Sequence, residues 1–155
     1  MKSGPWLVLL TALIGGCAAT PEASRESDAE AKRFESAPRA AIIYLYRADT
    51  PNSGTTATLW IDGRIVGESV QATYFRVIAR PGRNRISVSG HDLGRIEIDT
   101  REGEVYFVAM QVLGDGESSS GTIFRSVAPE VGKAAILRCC TMLETWRPGQ
   151  TRLPL

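Results

Sequence analysis

Between residues 40 and 127 the chain is a succession of short apolar runs, each cut by turn residues. Runs this short exclude long helices. A sandwich or barrel of strands is the arrangement that buries them together. Ala40-Ala41-Ile42-Ile43-Tyr44-Leu45-Tyr46-Arg47 is branched and aromatic at successive positions, so both of its faces need cover and it reads as a central strand. Thr56 to Asp62 is a second strand. Asp62-Gly63, where both residues tolerate positive φ, turns it into a hairpin with Arg64-Ile65-Val66-Gly67. Thr73 to Ala79 follows and stops at Pro81-Gly82. Arg85 to Ser89 and Arg95 to Asp99 alternate apolar and polar residues, which predicts one wet face each. Glu104 to Val112 and Thr122 to Val127 complete the set. Glu130 to Leu143 reads as a short helix with Pro129 near its first turn, despite Gly132. The expected fold is mainly β: an antiparallel, immunoglobulin-like β-sandwich with a short C-terminal helix over residues 39–147, followed by a tail at 148–155.

What precedes the strands is different in kind. Met1-Lys2 is a short positive region and Trp6 to Ile14 an apolar run, too short to span a bilayer core of roughly 30 Å as a stable helix. Ile14-Gly15-Gly16-Cys17 resembles the bacterial lipobox: a branched apolar residue, two small residues, then cysteine. That resemblance implies a signal peptide at 1–16, diacylglycerol transfer to the Cys17 sulfur, cleavage before Cys17 and acylation of the new amine. A cysteine is needed because its thiolate is the nucleophile that takes the lipid. Two or three acyl chains then make a stable anchor where one is marginal. Gly15 is a less common residue at its place in the box. Ala18 follows Cys17 where an Asp would resemble an inner-membrane retention signal, so the outer membrane, facing the periplasm, is the expected location. From Ala18 to Pro38 the one large apolar residue is Phe34. Such a segment buries too little to offset its ordering entropy, and 17–38 is expected to be a lipid-anchored flexible linker, with at most a short solvated helix around Ser27 to Phe34.

Charge and composition exclude several functions. Lys+Arg number 18 and Asp+Glu 17. Lys2 is the one charge of the leader, so the mature chain is formally neutral, without the basic excess a nucleic-acid binder needs. His91 is the single histidine of the chain, which rules out a multi-histidine metal site. Three cysteines, two of them adjacent, make no disulfide framework. No catalytic residue, metal ligand or cofactor is assigned beyond the covalent lipid on Cys17.

Four features carry what chemistry there is. Trp60 alternates with Leu59 and Ile61 and is the best candidate for an exposed aromatic that meets a partner. Gly114 to Gly121 is a hairpin loop whose Asp115 and Glu117 are candidate partner contacts. Two carboxylates are too few for calcium, and the P-loop lysine is absent. Cys139-Cys140 is unusual for an oxidising compartment. Neighbours on a helix point about 100° apart, so a bridge between them would distort the backbone. Two partly buried free thiols are expected, with an intermolecular disulfide or a redox-sensitive helix as alternatives. His91-Asp92 is expected as a solvated turn. The arginines from Arg76 to Arg95 and the acids from Glu97 to Glu104 are expected to pair across strands on a wet face.

Ile43-Tyr44-Leu45-Tyr46-Arg47, Leu59-Trp60-Ile61-Asp62-Gly63, Thr73-Tyr74-Phe75, Pro81-Gly82 and Glu102-Gly103-Glu104-Val105-Tyr106-Phe107 occur in that order. The ordered set resembles bacterial lipoproteins of domain-of-unknown-function family 2846. The strand-Asp-Gly-strand unit before a Pro-Gly turn is similar to the PEGA-type sandwich domains of bacterial surface proteins. The resemblance covers roughly Ala40 to Val112 and implies an antiparallel sandwich in the cell envelope. It transfers no catalytic residue and no ligand. The expected function is a membrane-anchored envelope lipoprotein acting as a non-catalytic binding module, its partner an envelope protein or a cell-wall polymer. The alternatives are an envelope hydrolase using His91 and a purely structural stress-response lipoprotein.

Overall fold

β1 (Ala41–Arg47) is buried at every position, as a run apolar on both faces requires. The computed structural model describes residues 20–48, 56–89, 94–113 and 121–146. The other strands are β2 (Ala57–Ile61), β3 (Arg64–Ser69), β4 (Thr73–Ala79), β5 (Gly82–Val88), β6 (Arg95–Thr100), β7 (Val105–Leu113), β8 (Gly121–Val127) and β9 (Thr141–Met142), and the helices are α1 (Arg25–Ala31) and α2 (Pro129–Cys139). They form a β-sandwich with a short C-terminal helix. One sheet has the order β8-β7-β1-β4-β9 and the other β3-β2-β5-β6.

Alternation along β1 divides the interior in two. Ala41, Ile43 and Leu45 face the space between the sheets, with Leu59, Phe75, Ile86 and Val108. Ile42, Tyr44 and Tyr46 face the other way, with Tyr74, Phe107 and Ile136. That second face is covered by α1, by α2 and by the segment joining α1 to β1. The molecule is therefore a sandwich with a helical layer on one side. Hairpins and crossovers between the sheets account for most pairings, which are antiparallel. Two pairs, β1 with β7 and β4 with β9, are parallel. The chain reaches both by leaving the sheet and returning, which removes the need for a tight turn.

Local sequence explains the turns. Asp62 and Gly63 both take positive φ, 49° and 75°, the backbone that a two-residue hairpin between right-twisted strands demands. Asp62 Oδ1 also accepts from the Arg85 N–H at 2.7 Å, tying this hairpin to β5. On the wet face of the smaller sheet Arg83 lies opposite Asp99 and Arg85 opposite Glu97. The Arg83–Asp99 pair, at 3.5 Å and largely exposed, contributes little to stability.

Residues 20–38 depart from the expectation of a flexible linker. Ala31 is buried and Phe34 and Ala37 pack against the same face of β1, so apolar residues at i, i+3 and i+6 supply the cover that composition alone conceals. Phe34 takes φ 55°, uncommon for a bulky residue. That conformation turns its ring onto Tyr44 and Phe107, with centroids 5.2 and 5.6 Å away. The C-terminal helix also ends earlier than expected. It stops at Cys139, and Thr141-Met142 leaves it to pair with β4. The tail at 148–155 lies outside the described residues.

Gly132 explains how α2 lies so close to the sheet. A Cβ there would fall 2.4 Å from the Cβ and Cγ of Phe107, and Phe107 is itself buried. Replacing a helical glycine with alanine gains about 1 kcal/mol of propensity. Overpacking costs about 1–3 kcal/mol or more, and the clash is with the root of a fixed ring, not the end of a flexible chain. Gly132→Ala is expected to lose about 2 kcal/mol in urea denaturation. An unchanged or raised midpoint would refute the close packing of α2 on β7.

Candidate functional site

Residues 20–23 and the segment that follows α2 come together in a clasp along one edge of the sandwich. Thr20 is buried, and its Oγ1 accepts from the Glu68 N–H at 2.7 Å. It sits against Gly67, where a Cβ would meet Phe75 Cε1 at 2.8 Å and Thr20 Cγ2 at 3.2 Å. Gly67 has φ 154° and falls at the β-bulge of the β2–β3 hairpin. The next residues run beside the segment that follows α2. The Ala23 N–H donates to Met142 O and the Glu144 N–H to Pro21 O, both at 2.9 Å. The Trp146 N–H donates to Val66 O at 2.8 Å. These bonds bridge the β9 edge of one sheet to the β3 edge of the other.

Asp28 is the polar centre of the clasp. The Ser24 Oγ accepts from the Ser27 N–H and starts α1, which brings Asp28 over β4. Its Oδ1 accepts from the Tyr74 hydroxyl and from the Met142 N–H, each at 2.9 Å. Its Oδ2 accepts from Lys32 Nζ at 2.7 Å. Burial pushes the carboxyl up, but the Lys32, Met142 and Tyr74 donors outweigh it and hold Asp28 below its ordinary value. Burial raises the Tyr74 hydroxyl strongly and the Asp28 carboxylate adds to that. The Tyr44 hydroxyl donates to Ala31 O at 2.6 Å, a carbonyl that also accepts from the Phe34 N–H at 3.0 Å. Burial raises Tyr44 as well, with the Arg76 guanidinium opposing. Beside the clasp a shallow recess of about 170 Å³ is lined by Ser27, Arg76, Met142 and Glu144 among others. That is smaller than the roughly 300–1,000 Å³ of typical small-molecule pockets.

Cys139 and Cys140 are bonded to each other, contrary to the expectation of two free thiols. That expectation treated both residues as helical. The helix ends between them: Cys140 is its C-cap, extended at φ −117° and ψ 140°, so the fixed angular offset of helical neighbours does not apply. The Cys140 N–H still closes on Ile136 O, and the Thr141 N–H donates to Ala72 O. Cys140 is buried with Ile42 and Tyr46, and its Sγ lies 3.9 Å from the Arg47 carbonyl oxygen. With the sulfurs joined, neither is left for an intermolecular bridge.

The remaining sequence candidates are not brought together. Trp60 lies on the outer face of the smaller sheet, opposite Ile65 and Ser87. It is half-buried, and its indole Nε1 is buried without a hydrogen-bond partner among the described residues, so it is not the freely exposed aromatic expected. Cys17, His91, Asp115 and Glu117 lie outside the described residues. Among those described, no group of three His, Cys, Asp or Glu is placed to hold a metal ion, and no helix is long and apolar enough to cross a membrane. The clasp residues Thr20, Asp28 and Tyr74 escaped sequence reasoning. A signal existed in the outward tyrosines of β1 and β4, which no predicted element covered.

Over 126 residues the chain is 31% identical to an uncharacterized protein of Haemophilus influenzae (strain ATCC 51907 / DSM 11121 / KW20 / Rd), a match that spans 80% of this chain and 74% of that protein. The chain belongs to that protein's family. No family model matches it and no solved structure does. The relative's description assigns no activity, so the functional argument rests on residues and geometry.

Two expectations follow. Asp28→Ala removes the acceptor of three donors and should cost about 2 kcal/mol at pH 7, at about 1 kcal/mol for each net hydrogen bond with some relaxation. Because the folded-state pKa of Asp28 lies below its ordinary 3.8, the stability it contributes is complete above that value and lost as pH falls below it. The gap between variant and parent in urea melts should therefore narrow from pH 7 to pH 3. A gap independent of pH would remove Asp28 from the centre of the clasp. Separately, in a Cys17→Ser protein, alkylation should modify no cysteine before reduction and both Cys139 and Cys140 after it. Modification without reductant would rule out the bonded pair.

Proposed function

We propose that this protein is a lipid-anchored lipoprotein of the bacterial envelope and that its sandwich is a non-catalytic interaction module. The observation that carries the reading is Ile14-Gly15-Gly16-Cys17 behind a short positive and apolar leader. A signal peptidase would leave Cys17 as the lipid-bearing N-terminus, and several acyl chains there make membrane attachment stable. The strand motifs that resemble domain-of-unknown-function family 2846 point to the same assignment. Ala18 after Cys17 favours the outer membrane, with the domain in the periplasm.

The non-catalytic part has separate support. The polar groups at the centre of the clasp, Asp28, Tyr74 and Tyr44, are engaged with one another and with backbone. A catalytic group needs a reacting atom within reach and a cleft to hold it, and the recess beside the clasp is shallow. The partner is expected among envelope proteins or cell-wall polymers.

Cys17→Ser should abolish palmitate labelling and leave the leader uncleaved. A variant that still takes label and still needs detergent for extraction overturns the anchor. In-cell crosslinking of the lipidated protein, against a control carrying the anchor without residues 20–146, should enrich one envelope protein or wall fragment with the domain alone. Equal capture by both would overturn the interaction module.

A further inference from the structure

The clasp fixes how far the domain can stand from its anchor. Thr20 is locked to Glu68 through its side chain, and Pro21 and Ala23 are locked to Glu144 and Met142 through the backbone. Thr20, the first described residue, is thus fixed to the sandwich, and in the sequence Ala18 and Ala19 separate it from Cys17. Three peptide units reach at most about 11 Å when fully extended. A free segment from 18 to 38 would have let the domain range over tens of ångströms.

Resting on the lipoprotein reading, we infer that the Thr20 edge is a membrane-apposed surface, seated on lipid headgroups by its tether. The edge comprises residues 20–23, residues 143–146 and the Val66–Glu68 stretch of β3. Its charge does not do the seating. Glu22 and Glu144 are exposed there and Glu68 is half-buried, and carboxylates gain nothing from an anionic leaflet. The partner this edge fits is a zwitterionic headgroup layer, met because the anchor allows no retreat. The opposite side of the molecule is then presented away from the bilayer. In the larger sheet β8 stands four strand spacings from β9, roughly 20 Å at about 4.8 Å each. β6 lies at the corresponding far edge of the smaller sheet.

The test uses the full lipidated protein in phosphatidylcholine vesicles doped with a headgroup-nitroxide lipid. A fluorophore is placed by Glu22→Cys on the near edge or by Arg125→Cys on β8, with Cys139 and Cys140 kept oxidised. Quenching at position 22 should exceed that at 125 several-fold. Inserting about twenty Gly/Ser residues between Ala19 and Thr20 gives a tether of about 25 Å root-mean-square length and should abolish most of that difference. Equal quenching at both positions, or a difference that survives the insertion, overturns the seating. Mass spectrometry of the same sample separates the two readings. Lipid on Cys17 with equal quenching leaves the anchor standing and removes the seated edge, whereas an unlipidated Cys17 refutes the anchor and the seating with it.

Discussion

A strand that is apolar on both faces must be covered twice, and the rest of this molecule follows from that demand. β1 buries all seven of its residues. The second sheet covers Ile43 and Leu45. Something else has to cover Ile42, Tyr44 and Tyr46, because leaving two tyrosine rings and an isoleucine in water would forfeit about 1.5–3 kcal/mol for each large side chain. α2 supplies part of that cover through Gly132 and Ile136. The remainder comes from the polar N-terminal segment, through Ala31, Phe34 and the Tyr44 and Tyr74 hydroxyls that find acceptors on α1. A segment too polar to fold alone is ordered because the sheet needs it.

That dependence shows where sequence reasoning succeeds and where it stops. The strands, the Asp62-Gly63 turn, the position of Pro129 at the start of α2 and the central place of β1 were all legible, since each is set by local chemistry or by a short-range period. The docking of residues 20–38 was not, because judging a segment by its own composition omits the surface waiting for it. The clue lay elsewhere in the chain: Tyr44, Tyr46 and Tyr74 pointed away from the inter-sheet core with nothing assigned to them. The Cys139–Cys140 bond was missed for a related reason. A helix boundary misplaced by a few residues changes the relative direction of two adjacent side chains, and cysteine chemistry depends on that direction. Of the site candidates, Trp60 was placed on the correct face by alternation, but its half-burial depends on neighbours that alternation does not describe.

The clasp also settles an edge problem. A sandwich has four outer strands, and an exposed strand edge invites pairing with another chain. Here the β9 and β3 edges are joined by residues 20–23 and 143–146. Among the described residues, β6 and β8 each pair on one side only. The two sides of the described molecule are therefore unequal: one is sealed by residues 20–23 and 143–146, and the other retains backbone donors and acceptors that strand addition can use. Ile123 on β8 and Leu113 on β7 are exposed on that unsealed side.

Sealing an edge with residues 20–23 makes this polar segment part of what stabilises the sandwich. Thr20 contributes by closing β3 against the segment that follows α2. Fraying of the clasp would release residues 20–38 and at the same time uncover Tyr44 and Tyr74, so it costs the burial that stabilises β1. Were Cys17 the lipid-bearing residue proposed above, that burial would oppose any lengthening of the tether, which a flexible linker of the same sequence length could not do.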